Sequence, residues 1–162
     1  MITQTEVRRL FDYRDGVLYW RVSPATNVFP GGIAGCAKSG GYWHIRIRRR
    51  LYKAHRLIFL WHHGWLPAQV DHIKGKSNHV ENLRAATGSQ NQYNRGLNAN
   101  NASGVKGVYW DKSRGKWYAQ CTVNRTNHRL GRFADLADAE SAVRKFRELH
   151  HGEFANHGDG CV

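Results

Sequence analysis

At 162 residues with 41% hydrophobic and 12% aromatic content, the chain is long enough for one ordinary domain or two small ones and apolar enough to build real cores. Its 25 Lys+Arg against 12 Asp+Glu leave a net charge of +13, which suits a polyanionic partner, nucleic acid first among them, although RNA, ribosomal surfaces and anionic lipid are served by the same charge. No apolar run approaches the ~20 residues of a membrane helix, and the opening "MITQTEVRRLF" lacks the apolar core of a signal peptide; the expectation is a soluble, cytoplasmic protein without a membrane partner.

In chain order, "GVLYWRV" from Gly16 reads as a strand. From Tyr42 to Tyr52, Trp43, Ile45 and Ile47 alternate with His44, Arg46 and Arg48, the pattern of a strand with one cationic, wet face. "AHRLIFLWHHG" then sets Leu57, Ile58, Leu60 and Trp61 at helical spacing, with Gly64 as the stop and His62 and His63 as a polar helix end. Thr87 and Gln90 read as a capping box opening a short helix that carries Asn91. The asparagine-rich run 94–104, "NRGLNANNASG", shows neither a helical nor a strand period and reads as a linker between two domains.

Beyond the linker, "GVYW", "KWYAQCTV" and "HRLGRF" read as three strands. Trp117, Ala119, Cys121 and Val123 alternate with Lys116, Tyr118, Gln120 and Thr122, so one face is core and the other polar. "NRTN" from Asn124 supplies a turn. Asp135 and Asp138 fit the N-cap and N3 positions of a final helix whose buried stripe is Ala139, Ala142, Val143, Phe146 and Leu149. Cys36, Cys121 and Cys161 are too widely spaced for a disulfide framework or paired zinc motifs; they read as free thiols, with Cys121 in a core.

One stretch asks for chemistry. In "VDHIKGKSNHVENLRAATGSQNQ" an acid and an imidazole, Asp71 and His72, close an apolar run, and Asn82 and Asn91 follow. An imidazole titrating near neutrality takes a proton from water, and carboxylate and amide oxygens suit a hard cation that neutralises charge on a phosphodiester. Through "DHI", "ENLRAAT" and "QN", together with the upstream "GGYWHIRIRRRLYKAHRLIFLWHHG", the chain resembles the HNH endonucleases in the variant where asparagine replaces the last histidine, as in phage and intron-encoded homing endonucleases with a ββα-metal fold. The resemblance implies His72 as general base, Asn82 as the residue orienting its ring, and Asp71 and Asn91 as ligands of one divalent cation, Mg²⁺ first and Mn²⁺ as the alternative. It also implies a phage- or mobile-element-encoded protein acting in the host cytoplasm.

The segment "SGVKGVYWDKSRGKWYAQCTVNRTNHRLGRFADLADAESAVRKF" is similar to AP2/ERF DNA-binding domains, in which a three-stranded antiparallel sheet packed on one helix enters the major groove. Carried over by position, Lys106, Tyr109, Lys116, Gln120, Thr122 and Arg129 are the contact candidates. The combined expectation is an α+β chain: an HNH nuclease domain over 1–95, a linker over 96–103 and an AP2-like domain over 104–157, acting on double-stranded DNA as a monomer or weak dimer. A catalytically inactive DNA-binding regulator built on an HNH scaffold is the alternative.

Overall fold

The computed structural model describes residues 2–38 and 40–159. The chain is α+β, with small antiparallel sheets and, among the described residues, four α-helices. It divides into two compact units, Met1–Thr87 and Gly88–Val162. The division therefore falls ahead of the asparagine-rich run, and helix residue Asn91 belongs to the second unit.

The first unit opens with α1 (Gln4–Leu10), whose N-cap Thr3 accepts a hydrogen bond from the Glu6 amide and so satisfies one of the otherwise orphaned N–H groups of the first turn. Strands β1 (Phe11–Arg14) and β2 (Val17–Trp20) form a hairpin about Asp15 and Gly16, both at positive φ. A three-stranded sheet follows in the order β3 (Cys36–Ala37), β4 (Trp43–Ile47), β5 (Arg50–Lys53). Then come α2 (Ala54–His63), stopped by Gly64 in the left-handed region, and the hairpin of β6 (Gln69–His72) with β7 (Leu83–Ala86).

The predicted alternation holds in β4, where Ile45 and Ile47 are buried and Arg46 is exposed. The single strand expected from Tyr42 to Tyr52 is instead a hairpin that reverses at Arg48 and Arg49, both at positive φ. No Gly, Asn or Asp marks that turn, so the residues that usually announce a two-residue reversal are missing from the sequence. Val7, Phe11, Leu18, Ile45, Leu57 and Ile58 join the first core, so α2 is the element on which hairpin and sheet close. Gly35 is fixed by close approach: it sits at φ +89°, and a Cβ there would overlap the His44 carbonyl oxygen of β4.

The second unit begins with the short α3 (Gly88–Tyr93). Its sheet has the order β10 (Thr126–Phe133), β9 (Lys116–Val123), β8 (Val108–Asp111), with β9 central. Helix α4 (Leu136–His151) covers one face, and Val108, Ala119, Cys121, Ala139 and Val143 form the core between them. The helix stripe leaves out its expected end: Leu149 is 79% exposed, and the last turns of α4 bury Arg147 and His151 instead. Asp135 is the N-cap by backbone conformation but makes no side-chain capping bond.

The linker expected over 96–103 is a hydrogen-bonded part of this unit. Asn101 Oδ1 accepts from the Gly104 amide at 2.7 Å, Asn101 Nδ2 donates to the Val105 carbonyl at 2.9 Å, and Ser103 Oγ donates to the Val108 carbonyl at 2.7 Å. Side-chain amides here replace the backbone ladder that a helix or strand would have supplied, so the run folds without hydrophobic periodicity. Cys36 is exposed and Cys121 buried, neither in a disulfide, while Cys161 lies outside the described residues.

Candidate active site and nucleic-acid interface

His72 is the last residue of β6 and is 8% exposed. Its Nε2 lies 2.9 Å from Asn78 Oδ1. A carbonyl oxygen can only accept, so in this bond His72 Nε2 is the donor. The ring packs edge-on against His55 of α2, with centroids 4.7 Å apart, and Tyr42 lies 6.0 Å from it. Lys53 and Lys76 place their ammonium groups 5.0 and 5.7 Å from the Tyr42 ring centre, so cations flank this histidine and aromatic cluster.

Burial, reinforced by the neighbouring His72, Lys53 and Arg56, pushes the His55 pKa down to about 3. Charging this ring means placing a cation among apolar groups and other cations. The stability consequence follows in sign: the unfolded chain takes up a proton below the ordinary value near 6.5 while folded His55 stays neutral to about 3, so stability present above pH 6.5 is lost as pH falls toward 3. At pH 5 the loss from this residue is about 2 kcal/mol. Urea unfolding at pH 7 and pH 5 measures it. His55→Gln is expected to flatten the difference, and an unchanged difference would remove His55 as its source.

The loop after His72 is fixed by Asn82. Its Nδ2 donates to the carbonyls of Lys74 at 2.8 Å and Ser77 at 2.7 Å, while its Oδ1 accepts from the Lys74 amide at 2.9 Å. The expectation that Asn82 orients the histidine ring is thus corrected: Asn82 binds the loop main chain, and the amide on the ring is that of Asn78. Spacing alone does not separate two asparagines four positions apart on either side of a turn, and only loop closure decides which one reaches the imidazole.

Asp71 points to the other side of β6 from His72, as strand alternation requires. Opposite it in register is Arg84, whose Nε donates to Asp71 Oδ2 at 3.0 Å, both side chains being largely buried. Asn91 lies in α3 of the second unit. Among the described residues no group of three or more His, Cys, Asp or Glu side chains is arranged to hold a metal. The expected ligands are a carboxylate and an amide, hard oxygen donors of the kind Mg²⁺ takes alongside water, and in donor chemistry they fit such an ion.

In the second unit the register collects a polar sheet face opposite α4. Tyr109, Tyr118 and Arg132 form one cross-strand row, Gln120 and Arg129 a second, Thr122 and Asn127 a third, and Asp111 with Lys116 a fourth. Five of the expected contact residues, Tyr109, Lys116, Gln120, Thr122 and Arg129, therefore share this face. Lys106 does not. Its Nζ donates to the carbonyls of Tyr93, Arg95 and Asn156, which uses all three of its N–H donors, and burial pulls its pKa down to about 8. Lys106 precedes β8, so the strand period that placed the others says nothing about its direction. Arg132 was absent from the expected set; it lies over Tyr118 at 5.2 Å and donates to Asp111 Oδ2 at 2.9 Å. Its signal was present in "HRLGRF", but a bulge between Arg129 and Gly131 shifts the alternation. Trp110 pairs with Trp117 on the helix side of the sheet.

No helix among the described residues is long and apolar enough to cross a membrane. No family model matches the chain, and no solved structure matches it. Over 114 residues it is 32% identical to Protein 3.8 of Escherichia phage T7, an alignment that takes in 66% of this chain and 93% of that protein. With that identity over nearly all of the phage protein, the chain belongs to the family of T7 Protein 3.8.

Proposed function

We propose that the chain is a divalent-metal-dependent DNA endonuclease of HNH type, site-preferring or nicking, targeted by the AP2-like sheet of its second unit. The observation that carries this reading is the setting of His72: a buried imidazole at a strand end, its Nε2 held by Asn78 and its neighbours cationic. In chain order the motif runs strand, Asn82-locked loop, strand and short helix, the order the HNH resemblance implies. The phage relative fits the phage-encoded origin that this reading expects.

In this mechanism the His72 ring takes a proton from water beside the scissile phosphate, while the Asn78 bond keeps the ring from turning. Asn82 keeps the loop, and so Asn78, in place. Lys53 and Lys76 attract the phosphate backbone. Asp71 would give a carboxylate oxygen to the divalent cation, which when bound neutralises charge on the phosphate. Relaxation of supercoiled plasmid with Mg²⁺ and with chelator tests the reading; conversion independent of metal, or none under either condition, counts against it.

The alternative, a DNA-binding regulator on an inactive scaffold, is favoured by one observation: Asp71 already gives an oxygen to Arg84. Both readings use the sheet face. Gln120→Ala or Arg129→Ala is expected to change which sites are bound or cut, because groove contacts carry sequence information. Lys116→Ala is expected to weaken all sites alike and to lower the slope of log affinity against log salt by about 1. Binding measured over a salt series on two unrelated duplexes separates the two classes, and equal effects on both duplexes from all three variants would remove base reading from this face.

A further inference from the structure

The second unit also contains a cleft of about 350 Å³ beside the polar sheet face. Arg95, Lys106, Arg125 and Arg147 line it, and among the described residues no Asp or Glu does. Two of these cations are withdrawn from water and, among the described residues, make no salt bridge to a carboxylate. Arg147 is 2% exposed; it donates to the Lys106 carbonyl at 2.8 Å and to His157 Nδ1 at 3.0 Å, both neutral acceptors, and its Nε has no partner. Lys106 meets three carbonyls. Buried cations whose hydrogen bonds go to neutral acceptors favour an anion nearby, because the desolvation already incurred is then offset by direct attraction.

The remaining lining suits more than a bare anion. Tyr109, half exposed, stands at the cleft with the side-chain amides of Gln92 and Gln120, and Tyr93 stacks on His151 at 3.7 Å as a rigid wall. His151 is 8% exposed and keeps Nδ1 without a hydrogen-bond partner, its Nε2 being given to the Thr122 carbonyl. An aromatic face with amides around it is the means by which single bases are held, by stacking and by hydrogen bonds to their edges. The volume lies at the small end of ligand sites, which start near ~300 Å³, and so suits one nucleotide rather than a duplex.

We propose that this cleft takes a single nucleotide, its phosphate among Arg95, Arg125 and the buried Arg147, and its base against Tyr109 with Gln92 and Gln120 on its edge. The site deepens the nucleic-acid reading of the sheet, with which it shares Tyr109, Gln120 and Thr122, and needs no nuclease chemistry. The nucleotide comes either from an unpaired position in a strand or from free mononucleotide.

Calorimetric titration of the full chain with dAMP, deoxyadenosine and inorganic phosphate tests it. Binding of dAMP at least about tenfold tighter than either fragment is expected, with a loss of about tenfold in Arg125→Gln, the size of one charge-assisted bond. Tyr109→Leu is expected to bring dAMP down toward the affinity of phosphate. Competition by a duplex with one bulged nucleotide, stronger than by the fully paired duplex, supports a strand as the source; dAMP binding that neither duplex displaces supports a free mononucleotide. Affinity for dAMP no greater than for phosphate, or unchanged in both variants, overturns the site. Duplex binding that persists in that case leaves the sheet reading standing, so the two failures are told apart.

Discussion

His72→Ala is expected to lower DNA cleavage by roughly 10²–10⁴-fold, the usual contribution of a positioned general base, while leaving duplex affinity within about a factor of three. The two readouts separate because they draw on different groups. In the proposed function affinity comes from cations and the sheet face, whereas the imidazole acts on water, and the ring makes its contacts inside the protein with Asn78 and His55. Truncating a ring that is 8% exposed also removes packing, so His72→Gln, closer in volume, controls for structure: it too is expected to bind and not to cut. Plasmid cleavage at matched protein and Mg²⁺, read beside gel-shift affinity, gives both quantities. Wild-type cleavage by either variant would remove His72 as the base and leave the DNA-binding reading as the better one.

The two loop asparagines are expected to fail in different ways. Asn78→Ala removes the acceptor of His72 Nε2 and little else among the described contacts, so cleavage is expected to fall by about 10–100-fold, the range for a group that holds a catalytic or ligand histidine, with stability nearly unchanged. Asn82→Ala leaves the Lys74 amide and the Lys74 and Ser77 carbonyls without their partner. Three lost bonds at about 1 kcal/mol each, less what water restores in an exposed loop, put the destabilisation at about 1–3 kcal/mol, with cleavage lost as well because Asn78 is no longer held. Urea midpoints together with cleavage rates distinguish the pair. The reverse pattern, a stable Asn82→Ala and an unstable Asn78→Ala, would overturn the assignment of roles.

What could be read along the chain was whatever depends on local period. The alternation in "KWYAQCTV" fixed which residues of β9 share a face, and with register that face became the proposed interface. Helix α2 and its Gly64 stop were legible for the same reason, since apolar spacing and a left-handed glycine are local events. Reversals made by Arg48 and Arg49 were not, because the turn is held by the pairing of β4 with β5 rather than by turn-forming residues. The asparagine-rich run misled for a related reason: lack of period marks lack of regular structure, whereas side-chain amides can hold irregular backbone firmly.

The sequence by itself determined the α+β class, the strand faces of the second unit, the positive charge and the residue types of the proposed site. Tertiary structure alone decided which amide meets His72, that Asp71 pairs with Arg84, that Lys106 turns inward onto three carbonyls, and that Arg147 is buried beside a cationic cleft. The difference is physical. Period, charge and capping are properties of neighbours in sequence, while hydrogen-bond partners and the burial of charge depend on which distant segments the folded core brings within about 3 Å of one another.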